Sequence, residues 1–176
     1  MSVNIPPPAN GNDDIYAAMQ KLFEDSRVVK SAHFIAEQRK GRTAKVIGVF
    51  VIVLNVLIGS GLIEEAVKDQ SKVTTIIKLL AFLAAALAAI QTFFNFQKEV
   101  ECHISSGTVY SSLNHRLGLI MAEYHDKPAN RDALFANFKA LDNEYLKAND
   151  DGKTCIPSES DYKKARAGIA ARAGVK

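Results

Sequence analysis

Glu101, Cys102 and His103 are consecutive, three side chains of the kinds that hold metal ions. Neighbours on a helix project about 100° apart, so such a run does not close on one ion, and Cys102 with His103 is not expected to form a metal site. His33, His115 and His125 show no regular spacing. His103 is a candidate proton sensor, against the simpler expectation of a helix-face histidine bonded to a neighbour. Phosphate loops, nucleophile elbows and zinc spacings are absent from the sequence, and the acids are scattered over polar faces. Cys102 and Cys155 lie far apart without a partner motif, so a secreted disulfide framework is not expected and a reducing compartment is the default. The residues predict no enzyme, no cofactor and no metal. What stands out instead is a carboxamide, Asn55, in the middle of the uncharged run VIGVFVIVLNVLIGSGLI at 46–63.

That run is one of two. The hydrophobic fraction of 48% is ordinary, but its apolar residues are concentrated at 46–63 and 73–96. A bilayer core needs about 20 helical residues to cross it. The first span is drawn at 44–63. The second, 73–96, carries a single charge, Lys78, near enough to its start to snorkel. A buried helix pair in a soluble protein is the competing reading, but the rest of the chain is too short to wrap one. The connector EEAVKDQSK at 64–72 is short and net acidic, whereas Arg39, Lys40, Arg42 and Lys45 precede the first span. The positive-inside rule then puts both termini in the cytoplasm and the loop outside. No cleavable signal is expected at the N-terminus, so the first span serves as its own insertion signal.

Steps of four and three along the second span pick out Thr74, Lys78, Ala81, Ala85, Ala88, Thr92 and Asn95, every one small or polar. The first span offers Gly48, Ile52, Asn55 and Gly59. In lipid, small residues let backbones approach and polar ones bond across the contact. This stripe is therefore read as a packing face, either between the two spans or as the lining of an oligomeric pore, with Leu80, Leu83, Leu87, Ile90 and Phe94 turned to lipid.

The same spacing continues beyond the membrane as His103, Ser106, Tyr110, Leu113, Leu117, Ile120 and Tyr124. It turns apolar there, as burial in water requires. One helix over about 73–125 is expected, with Gly107 a possible bend. Residues 13–42 are expected to form one or two amphipathic helices capped by Asp13 or Asp14. Residues 126–176 form a helical extension with Leu134, Phe135, Phe138, Leu141 and Tyr145 on one face, a last helix capped by Ser158, and a basic tail. That tail meets water or anionic lipid, and direct nucleic-acid binding is not expected. Residues 1–12, with prolines at 6–8, form a disordered leader. The fold class is an all-α membrane protein. It comprises an antiparallel two-span hairpin and a cytoplasmic helical bundle at 13–42 and 97–125, the second span continuing into the bundle.

With spans, inward termini and a post-span helix in place, the chain resembles the SLATT family of two-transmembrane effectors associated with bacterial nucleotide-signalling and anti-phage systems. The local likeness lies in FQKEVECHISSGTVYSSLNHRL, where His103, Tyr110, Leu113 and Arg116 fall at family-like spacing. The resemblance covers about residues 13–125. It implies an inner-membrane effector that forms a homo-oligomer and permeabilises the bilayer, causing cell death or arrest. The trigger would come from a separately encoded sensor or signal-producing enzyme (a nucleotide cyclase-like protein or a reverse transcriptase) or from a small nucleotide at the cytoplasmic bundle. His103, Tyr110, Leu113 and Arg116 are the candidate bundle or trigger contacts. The alternative is a membrane-anchored interaction module that tethers a partner enzyme without forming a pore. A holin or small transporter fits less well, given the long cytoplasmic part and the scarcity of charge at mid-membrane.

Overall fold

A computed structural model describes residues 11–60, 62–63, 69–126 and 131–174, and among these there is no strand. The described helices are α1 (Gly11–Gly59), α2 (Gln70–Phe94), α3 (Phe96–Asp126), α4 (Arg131–Asp151) and α5 (Glu159–Gly174), with a 3-10 turn at Gly152–Thr154. Of the expected leader, residues 1–10 lie outside the described part, and Gly11 and Asn12 belong to α1. Of the expected loop, 64–68 lie outside it as well.

α1 is one uninterrupted helix of 49 residues. α2 starts earlier than its apolar run because Asp69 caps it: the carboxylate accepts from the Ser71 and Lys72 amides at 3.1 and 3.4 Å, satisfying donors that a helix start leaves open. The single helix expected over 73–125 is broken, and the break is at Asn95, not at Gly107. Asn95 has φ 41° and ψ 50°, the left-handed region that asparagine tolerates because its short side chain bonds locally. Its carbonyl accepts from Lys98 and Glu99 at 3.0 and 3.3 Å, and its Oδ1 lies 3.4 Å from the Lys98 amide. One residue thus ends α2 and caps α3.

The chain forms two compact units, Met1–Ala36 with Cys102–Lys176, and Glu37–Glu101. The first is a helical bundle around Met19, Leu22, Tyr110, Leu113, Leu117, Tyr124, Leu134, Phe138 and Leu141. The apolar line read along α3 is its inner face. Burying each of its leucines is worth about 1.5–3 kcal/mol. A buried polar knot ties α1 to α3: Asn114 donates to the Phe23 carbonyl at 2.8 Å and to Ser26 Oγ at 3.1 Å, and accepts from Lys30 at 2.9 Å. Burial first, and Arg27 next, hold the Lys30 pKa below its usual value. At the start of α5, Ser158 and Asp161 cap each other. Asp161 Oδ2 accepts from the Ser158 amide and hydroxyl at 2.9 and 2.6 Å, and Ser158 Oγ lies 3.3 Å from the Asp161 amide.

In the second unit, α1 pairs with α2 and the first turn of α3. A Cβ on Gly48 would stand 3.7 Å from Gln91 Nε2, and Lys40 Nζ lies 2.6 Å from Glu99 Oε2. The last contact is an ion pair by distance, not a well-aligned hydrogen bond. The apolar segments of α1 and α2 are both long and apolar enough to cross a membrane, and only 6% and 11% of their most apolar stretches are buried. A soluble core helix would bury most of such a stretch.

Candidate functional site

The helix pair of the second unit closes on a line with alternating steps of three and four. On α1 the buried and half-buried positions at these steps are Ala44, Ile47, Val51, Leu54 and Ile58, with Gly48 and Leu57 half-buried beside them; on α2 they are Val73, Ile77, Leu80, Ala84, Leu87 and Gln91, with Ala86 half-buried beside them. This is the spacing of a coiled-coil seam. It runs one residue before the stripe singled out in the sequence. Thr74, Lys78, Ala81, Ala85, Ala88, Thr92 and Asn95 are all exposed, as are Asn55 and Gly59 of α1, while Gly48 alone of that set is half-buried against Gln91. The leucine stripe expected to face outward divides. Leu83, Ile90 and Phe94 do so, but Leu80 and Leu87 are half-buried in the seam. Side chains larger than those of the small-residue stripe therefore occupy the buried line of both helices.

Three polar groups on this exposed surface bond within their own helix. Thr74 and Thr92 donate to the carbonyls of Gln70 and Ala88 at 3.0 Å each. Asn55 Nδ2 donates to the Val51 carbonyl at 3.0 Å. Such back-bonding lets hydroxyls and one amide hydrogen sit on an apolar surface at little cost. A carboxamide has a second N–H and an acceptor oxygen, so Asn55 keeps bonding capacity that its own helix does not use.

No family model, curated protein or solved structure matches the chain. Function therefore rests on what these residues can do.

The first unit holds the other concentration of chemistry. His33 of α1 and His103 of α3 meet with their Nδ1 atoms 3.2 Å apart. Both are 3% exposed, and Cys155, 6% exposed, lies beside them. Tyr110 stacks on His33, ring centroids 5.5 Å apart, and donates to Asn149 Oδ1 at 2.7 Å. Burial first, and His103 next, push the His33 pKa down to about 4, so this imidazole is neutral near pH 7. Burial pushes Tyr110 up to about 12, helped by Tyr145. Gly107 makes the meeting possible: a Cβ there would stand 3.4 Å from His33 Cβ and 3.1 Å from the Phe34 ring. Lacking a side chain, it lets α1 approach α3 one turn beyond His103.

Cys102 and Cys155 are joined, Sγ to Sγ, at 2.04 Å with Cα atoms 6.1 Å apart. No motif in the sequence pairs them. Their sequence separation of 53 residues hid them. α4 runs back along α3, and the 3-10 turn delivers Cys155 opposite Cys102. The same register is fixed by Arg116, which makes a two-pronged pair with Glu144 at 2.7 and 2.8 Å. Of the candidate trigger contacts, then, His103, Tyr110 and Leu113 are buried in the bundle, while Arg116 is on the surface and paired.

Proposed function

We propose that this protein is a two-span membrane effector that assembles with copies of itself and permeabilises the inner membrane of a bacterium when its helical bundle is triggered. Both termini face the cytoplasm, and the trigger is a separately encoded sensor, a signal-producing enzyme or a small nucleotide. The SLATT resemblance supplies the biological setting, an anti-phage response ending in death or arrest. The observation that carries the assembly step is the one-residue offset on α2. The intrachain seam uses Val73, Ile77, Leu80, Ala84 and Leu87, and the small-polar stripe from Thr74 to Asn95 is left outward. Leucine and phenylalanine gain nothing by leaving lipid, whereas a small-residue stripe favours close helix contact. A second copy offers the matching surface. Exposed threonine and asparagine on it then admit water when the helices part.

The test is crosslinking and leakage in membranes. Ala85→Cys, in a chain whose native cysteines are serine, is expected to crosslink between copies, and Leu79→Cys on another face is not. Ala81, Ala85 and Ala88 changed together to leucine are expected to leave insertion intact and abolish dye release from vesicles or depolarisation of expressing cells. Full leakage from that triple variant would remove the stripe from the mechanism. Retained signalling after both spans are replaced by an unrelated hairpin would instead favour the tethering role.

A further inference from the structure

We propose that reduction of the Cys102–Cys155 bond converts the buried core of the first unit into a transition-metal site, with His33 Nδ1, His103 Nδ1 and the Cys155 thiolate binding Zn(II). One ligand atom from each of these three residues lies within 4.8 Å of the others, and all three residues are buried. The His33–His103 separation of 3.2 Å matches the edge of a zinc tetrahedron, about 3.3 Å for Zn–N bonds of about 2.05 Å. Two imidazoles and one thiolate are a zinc-type donor set. The three come from α1, α3 and the turn after α4, so the constellation exists only in the folded bundle. A cavity of about 160 Å³, whose lining includes His33, Tyr110, Asn149 and Tyr162, borders one of the three ligands.

The disulfide is the gate. While it stands, the Cys155 sulfur has no thiolate to offer. Cys102 is the more accessible partner and lines an open cavity with Ser105, Ser106 and Val109. A small dithiol attacks Cys102 Sγ, the S–S bond breaks, and Cys155 leaves as a thiolate directly into the histidine pair. The second thiol of the reductant then displaces Cys102. The reductant ends as a disulfide, and the protein gains two electrons and two protons as two thiols. Metal binding releases the Cys155 proton to solvent. A cytoplasmic location would favour the reduced, metal-binding form, but the chemistry does not depend on the membrane role.

The experiment uses the full chain in detergent with Co(II) as the probe, after reduction by a phosphine. The reduced protein is expected to take up a single equivalent, with tetrahedral visible bands and a thiolate-to-metal charge-transfer band, and Zn(II) is expected to displace it. Oxidised protein should show neither band. Cys102→Ser cannot form the bond, so it should bind metal whether or not oxidant is present, which separates a closed gate from an absent site. Cys155→Ser should lose the charge-transfer band while keeping its helical circular dichroism. His33→Gln and His103→Gln should each weaken binding by about tenfold or more. Absence of the thiolate band from both reduced wild type and Cys102→Ser overturns the proposal, as does its survival in Cys155→Ser.

Discussion

The ring of Phe34 lies over Gly107, so close that a Cβ added there would stand 3.1 Å from two of its ring carbons. Two effects oppose each other on substitution. Alanine gains about 1 kcal/mol of helix propensity over glycine. Against that, the Phe34 ring must shift by a few tenths of an ångström, and at 36% exposed it has room outward. Gly107→Ala is therefore expected to melt within about 1 kcal/mol of wild type. Gly107→Leu has no such escape, since His33 Cβ would also stand 3.4 Å from the added Cβ, and overpacking is expected to cost about 1–3 kcal/mol. Thermal melts followed by circular dichroism in detergent separate the two. Equal melting of the leucine variant would show that the helices do not meet this closely.

Helices and cores were legible in the sequence because periodicity reports them directly. The line from His103 to Tyr124 predicted the buried face of α3, and Leu134, Phe138 and Leu141 that of α4. The offset in α2 was not legible, because a leucine stripe in lipid and a leucine stripe in a helix seam read alike. Only contact geometry separates Leu80 from Leu83. The His33–His103–Cys155 cluster was missed for a different reason. Its members sit on three segments, and no local spacing joins them. A signal existed in the register of α3 against α4, since setting Arg116 opposite Glu144 also brings Cys102 toward Cys155.

Asn95 makes a conformational demand that side-chain choice can test. At φ 41° a residue with a Cβ and no local hydrogen bond loses about 1–2 kcal/mol. Asn95→Ala is expected to lower stability by about 1 kcal/mol, or to recover it by fusing α2 and α3 into one straight helix. Asn95→Gly keeps the left-handed turn and should stay close to wild type. Spin-label distances across the junction report the straightening, and melts report the cost. If the alanine variant matches the glycine variant in both, the left-handed residue is not what ends α2.

Arg116 and Glu144 form a two-pronged ion pair, yet both are nearly half exposed. A surface pair of this kind is worth about 0–1 kcal/mol and weakens with salt. The hydrogen bond from Arg116 holds the Glu144 carboxyl below its ordinary value. A depressed carboxyl contributes its stability above the unfolded pKa and loses it as pH falls through the folded one. The contribution should therefore be complete near neutrality, fade below about pH 4.5, and be absent in Arg116→Ala. A urea titration at several pH values checks this. Should Arg116→Ala abolish triggered permeabilisation while stability barely moves, the guanidinium is a contact for the trigger and not a structural clamp.

Asn55 now has a place. Its neighbour Leu54 is in the seam with α2, and Asn55, one step round the helix, is outside it with Nδ2 committed to the Val51 carbonyl. That bond satisfies one of the amide's two N–H groups and leaves the other and the carbonyl oxygen for a partner outside the helix. Interhelical hydrogen bonds in membranes average only about 0.6 kcal/mol, and one such bond per copy does not hold an assembly together. In the proposed assembly, the same bond repeated in every copy would select one geometry among several close-packed ones, as a buried asparagine does in coiled coils. Asn55→Leu should therefore insert normally and still self-associate, but with a broadened distribution of oligomers and reduced leakage. Asn55→Gln, which keeps the amide on a longer stem, should recover part of both. Crosslinking ladders and vesicle leakage on the same preparations decide the matter. If Asn55→Leu gives the wild-type ladder and full leakage, the stripe on α2 acts without help from α1.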